Sequence, residues 1–71
     1  MNTIVSVLRI NERGVSVGIK EKRTEDAGAK RVRIGEDIVL PFTWACDASC
    51  IGIEFSGNER ELVGKTIEFL Q

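Results

Sequence analysis

The sequence predicts an all-β protein, a small barrel or sandwich of five to seven short antiparallel strands built from hairpins. Two observations carry this. β-Branched and other apolar residues alternate with polar ones over short runs, and turn formers recur about every 8–12 residues, the rhythm of a barrel or sandwich. With 71 residues there is material for one core only, so residues 1–71 are read as a single domain.

Thr3-Ile4-Val5-Ser6-Val7-Leu8-Arg9-Ile10 is rich in β-branched residues and too short and polar-spaced for a buried helix, and reads as a strand. Asn11-Glu12-Arg13-Gly14 supplies a turn with a glycine at its end, after which Val15-Ser16-Val17-Gly18-Ile19-Lys20 alternates strictly. In that hairpin Val15, Val17 and Ile19 are expected to face the core, and Ser16, Gly18 and Lys20 to face away. Residues 21–30 hold no apolar side chain larger than alanine and are expected to form a mobile loop, because nothing in them can dock by burial.

Arg31-Val32-Arg33-Ile34 alternates again, Gly35-Glu36-Asp37 breaks the run, and Ile38-Val39-Leu40 resumes it until Pro41, which suggests two short strands meeting at a tight turn. Phe42, Trp44 and Cys46 are expected on one face, and beyond an Asp47-Ala48-Ser49 turn Ile51, Ile53 and Phe55 on another, making a second hairpin. Ser56-Gly57-Asn58 is a turn signal, Glu59 to Lys65 a polar stretch around Leu62 and Val63, and Thr66 to Leu70 a last alternating strand.

Composition bounds the function. The chain is 42% hydrophobic and 30% charged, and no apolar run approaches the roughly 20 residues of a membrane span. No basic region leads into an apolar stretch near Met1, so a cytoplasmic location is expected, with no membrane partner. A domain this size buries only about 60% of its unfolded surface, which makes a homodimer the expected assembly. There is no histidine and no tyrosine, which removes the commonest general acid/base and the Ser-His and Cys-His nucleophile pairs. No catalytic residue, cofactor or metal is assigned, and the chain is expected not to be an enzyme. Cys46 and Cys50 are read as two thiols flanking the turn rather than as a disulfide or zinc ligands.

Charge offers one candidate surface. Residues 1–33 carry eight basic and four acidic side chains, and residues 34–71 two basic and seven acidic. Lys20, Lys22, Arg23, Lys30, Arg31 and Arg33 lie within one stretch, with Arg31 and Arg33 two apart on one strand face, and could neutralise the phosphates of RNA. Offset by Glu21, Glu25 and Asp26, the same residues also fit a solvated outer face. Phe42, Trp44, Phe55 and Phe69 fall in core-like alternation, so none is expected to be a base-stacking platform.

Two resemblances sharpen the ligand question. Val5, Val7, Leu8, Ile10, Val15, Val17, Gly18 and Ile19 match the hairpin pattern of the carbon storage regulator (CsrA/RsmA) family, and Arg31 to Leu40 looks like that family's Gly-Glu element, although here it follows the hairpin instead of preceding it. The resemblance implies a β-rich homodimer that binds GGA-containing RNA loops, with Arg31 and Arg33 as contacts. The chain also resembles PilZ domains: Arg9 and Arg13 have the R-x-x-x-R spacing, and Asp47, Ser49 and Gly52 supply D-x-S-x-x-G. That resemblance implies cyclic di-GMP gripped by guanidinium forks and capped by an Asp/Ser turn. A third class, a small protein-binding inhibitor or adaptor of a phage or mobile element acting on a host protein, needs only an edge strand or an acidic patch.

Overall fold

The computed structural model describes residues 2–22 and 30–71, with Cys46 described by its backbone alone. Six strands and one short helix follow in order: β1 (Asn2–Arg9), β2 (Gly14–Ile19), β3 (Arg31–Ile34), β4 (Ile38–Asp47), β5 (Cys50–Glu54), the 3-10 helix η1 (Glu59–Leu62) and β6 (Thr66–Leu70). They close into an antiparallel barrel in the order β1-β2-β5-β4-β3-β6. The expected all-β fold is therefore a barrel. Closure removes most of the exposed edges that a sheet this small would otherwise present.

Alternation decides which side chains fill the interior. Val15, Val17 and Ile19 of β2, Val32 and Ile34 of β3, and Ile51 and Ile53 of β5 are buried, joined by Ile4, Ile67 and Leu62. Val7, Ile38, Leu40, Phe42, Phe55 and Phe69 pack around this centre, with the Phe42 and Phe69 rings edge to face at 5.6 Å. Leu62, in a stretch whose sequence looked polar, is fully buried. Asn58 caps η1 by accepting from the Arg60 N–H, and the Gly64 N–H donates to the Ile4 carbonyl, so the helix lies against β1 with Leu62 turned into the core.

Two irregularities redirect side chains. A register shift between Ile4 and Ser6 turns Ile4 and Val7 inward and leaves Val5 and Leu8 outside. A second, between Phe42 and Trp44, sets these residues on opposite sides of β4. The expectation that Phe42 and Trp44 share a face is corrected accordingly: Phe42 packs on the core and Trp44 stands outside. β4 also runs through Pro41 instead of stopping there. The Phe42 N–H donates to Lys30 O, so alternation aims the backbone groups of Pro41 away from β3, where a missing N–H breaks no ladder bond.

Arg9 ties the lower end of the barrel together. Its guanidinium donates to the carbonyls of Phe55 (2.5 Å), Gly57 (2.6 Å), Asn11 and Glu12 (both 3.3 Å), and pairs with the Glu59 carboxylate at 3.1 Å. One side chain thus joins the β1–β2 turn to the segment leading from β5 into η1. The Arg9 hydrogen bond, together with a backbone one, holds the Glu59 carboxyl below its ordinary value, the backbone bond contributing most.

Candidate functional site

The outer surface of β1, β2, β5 and β4 carries a row of uncharged residues. Pairings of Leu8 with Ser16, Ser16 with Gly52, and Gly52 with Trp44 set these four residues in one row across the strands. No member of the row is charged. Leu8 is 64% exposed at one end and Trp44 38% at the other, with Ile10 and Val5 also more than half exposed beside them.

The glycines explain how the indole lies. A Cβ built on Gly52 would fall 1.8 Å from Cε2 of Trp44, and one on Gly14 would fall 3.4 Å from its Cη2. The ring therefore lies flat over Gly52 and reaches Gly14 on β2. Gly52 is buried beneath it. A glycine inside a strand whose neighbours are isoleucines is the sequence signal of such a close approach, and it identifies the position without naming the approaching group.

Beside this face lies a groove of about 400 Å³ lined by Arg13, Leu40, Pro41, Glu54, Phe55 and Ser56. It forms where β4 and β5 part. Their pairing runs from Asp47–Cys50 to Phe42–Ile53 and goes no further, while β4 continues along β3 to Ile38. A second depression, between β3 and β6, is lined by Arg33, Gly35, Glu36, Thr66 and Glu68. The Arg33–Glu68 ion pair beside it, at 3.3 Å, is half exposed.

The basic residues are only partly assembled. The C-terminal end of β2, the start of β3 and the 47–49 turn lie at the same end of the barrel, which places Lys20, Lys22, Lys30 and Arg31 at that end, all exposed. Arg33 sits one step along the outside of β3, bonded to Glu68. Arg23, and most of the loop expected over 21–30, lie outside the described residues.

The residues of the cyclic di-GMP pattern are not brought together. Asp47 and Ser49 occupy the β4–β5 turn, where the Asp47 Oδ1 accepts from the Ser49 N–H at 2.7 Å and from its hydroxyl at 3.2 Å. Arg9 is at the opposite end with its guanidinium committed to four carbonyls and Glu59. Arg13 lines the groove, and Gly52 lies under the indole.

Two expectations are corrected. Trp44 is an outer-surface aromatic and not a core one, for the register reason given above. Cys50 is disulfide-bonded, so the reading of two thiols fails. The Ser16 hydroxyl lies 3.1 Å from the Cys50 sulfur, and since a disulfide sulfur has no proton the hydroxyl is the donor. Among the described residues no group of three or more His, Cys, Asp or Glu side chains could hold a metal ion, and no helix is long and apolar enough to cross a membrane. Comparison with protein-family models, with curated proteins and with solved structures finds no match for the chain.

Proposed function

We propose that the chain is a non-catalytic protein-binding domain, a small inhibitor or adaptor, that meets its partner with the outer face of β1, β2, β5 and β4. The observation that carries this reading is the uncharged row Leu8-Ser16-Gly52-Trp44 with Ile10 and Val5 beside it. Burying such side chains returns about 25 cal/mol per Å², and a tryptophan seated among small residues is the type of anchor that dominates interface energies. The charges nearest the row support a protein over a phosphate backbone. Asp47 pairs with Cys50 at one margin, and at the other Glu54, which pairs with Gly14, shares a groove with Arg13, so the margins are acidic and mixed rather than the run of cations a phosphate backbone would need.

The test is affinity capture from cells that express the chain, comparing wild type with a Leu8→Glu/Ile10→Glu variant whose fold is verified by circular dichroism. Wild type is expected to retain one stoichiometric protein that the variant loses. Equal recovery by both, or recovery of nucleic acid alone, would overturn the proposal.

A second reading, RNA binding, draws on the four described cations at one barrel end, and the exposed indole removes the objection that the chain lacks a stacking surface. It requires binding that weakens steeply with salt and is reduced by Lys20→Ala/Arg31→Ala.

A further inference from the structure

We infer that the disulfide at Cys50 is a redox switch on the binding face: the bonded form presents Trp44 to the partner protein, and reduction by a dithiol releases it. This deepens the protein-binding reading and rests on it, since it names how that face is regulated. Cys50 opens β5 and, with Ile51 and Ile53 buried, shares the outer side of the strand with Gly52. It pairs with Gly18 on β2 and Asp47 on β4, one row over from Leu8-Ser16-Gly52-Trp44. The two rows touch, because the Ser16 hydroxyl donates to the Cys50 sulfur at 3.1 Å. Cys50 and Gly52 lie about 7 Å apart along the strand, so the sulfur sits beside the position that seats the indole. Cys50 is half-buried and lies outside the core, so a thiolate can reach it from solvent.

The backbone of β4 shows what the bond controls. The chain's other cysteine, Cys46, stands where the register shifts between Ala45 and Asp47, and a second shift separates Phe42 from Trp44. Trp44 and Ala45, paired with Gly52 and Ile51, are thus a short island between two irregularities. On one side the Thr43 hydroxyl ties the island down by donating to Gly52 O at 2.6 Å. On the other it adjoins the disulfide, whose loss leaves it tethered at one end. The barrel itself does not depend on the bond. With two cysteines in the chain, the bond closes only residues 46–50, which constrains the unfolded chain less than a long loop would. The turn inside that loop is held separately, by Asp47 Oδ1 accepting from the Ser49 N–H. Reduction is thiol–disulfide exchange. One thiolate of the dithiol attacks the Cys50 sulfur, forming a mixed disulfide and expelling the Cys46 thiolate, which takes a proton. The second thiol of the dithiol then attacks the mixed disulfide and releases Cys50 as a thiol. Two electrons pass to the protein, and the dithiol leaves as its own disulfide.

The experiment compares the oxidised full chain, the same protein reduced with dithiothreitol, and a Cys46→Ser/Cys50→Ser variant, in two assays. In the first, without partner, Trp44 fluorescence is expected to shift to the red on reduction while far-ultraviolet circular dichroism is unchanged, and to return on reoxidation. The serine variant is expected to show the reduced emission and no response to dithiothreitol. In the second, affinity capture from the expressing cells, the reduced protein and the serine variant are expected to retain at least about fivefold less partner than the oxidised protein. The serine variant needs no reductant, so its loss of capture cannot come from reduction of the partner. Unchanged emission on reduction, unfolding of the barrel, or equal capture by the oxidised and serine forms would overturn the switch. Those failures are separable from failure of the protein-binding reading, which is decided by whether capture by the oxidised protein depends on Leu8 and Ile10.

Discussion

Gly52 and Trp44 offer a perturbation whose consequence can be worked from the geometry. In Gly52→Ala the new methyl would lie 1.8 to 2.1 Å from three atoms of the indole, well inside van der Waals contact, so the ring must lift or rotate off the strand. The backbone of Gly52 has no positive φ, so alanine is not strained by conformation and the cost is that of the displaced ring. Forced repacking of this type costs about 1–3 kcal/mol, and in a domain of this size each kcal/mol lowers Tm by about 4–8 °C. The chain has one tryptophan and no tyrosine, so its fluorescence reports Trp44 alone and is expected to shift to the red as the ring gains solvent. The decisive assay is the double-mutant cycle. In a Trp44→Ala background the methyl meets nothing from the ring, and Gly52→Ala should become neutral, or stabilising by up to about 1 kcal/mol through the unfolded state. An equal cost in both backgrounds would refute the packing of Trp44 over Gly52.

Other outcomes follow from the same structure. Leu62→Ala is expected to cost about 2–5 kcal/mol in chemical denaturation, because the side chain is fully buried and its loss leaves a cavity; a surface-like change would contradict its position. Gly35 has φ +65°, so Gly35→Ala should destabilise the β3–β4 turn by about 1 kcal/mol. For Glu59 the folded pKa is lowered, so its contribution is present above the unfolded value of about 4.5 and is lost as pH falls through the folded value. Glu59→Gln should therefore flatten the decline of stability below about pH 5 and leave the unfolding midpoint at neutral pH without further pH dependence from this site. Cys50 is expected to resist thiol reagents until a reductant is added; immediate labelling of the native oxidised protein would contradict its disulfide.

Much of the barrel was legible because period-two alternation is a direct image of inside and outside. Val15, Val17, Ile19, Val32, Ile34, Ile51 and Ile53 all sit where that pattern puts them. It failed where the backbone inserts a residue. Nothing in Pro41-Phe42-Thr43-Trp44 announces the register shift that separates Phe42 from Trp44, yet this one irregularity turns an expected core aromatic into one end of the candidate surface. Leu62 escaped for a different reason: a lone leucine in a charged stretch has no periodic partner, and its burial depends on a 3-10 turn capped by Asn58. The role of Arg9 was invisible because most of its acceptors are carbonyls some 46 to 48 residues away or set by the local turn. The basic stretch was visible as composition, whereas its gathering at one barrel end follows from strand order, which the sequence does not encode locally.

The central claim, that the face bearing Leu8 and Trp44 is the binding surface, is tested most directly by site-specific photocrosslinking. Benzoylphenylalanine is placed in turn at position 8, on that face, and at position 31, at the basic end. Irradiation in the expressing cells is expected to yield a discrete protein adduct from position 8 and none from position 31. A nucleic-acid adduct from position 31 with none from position 8 would contradict it.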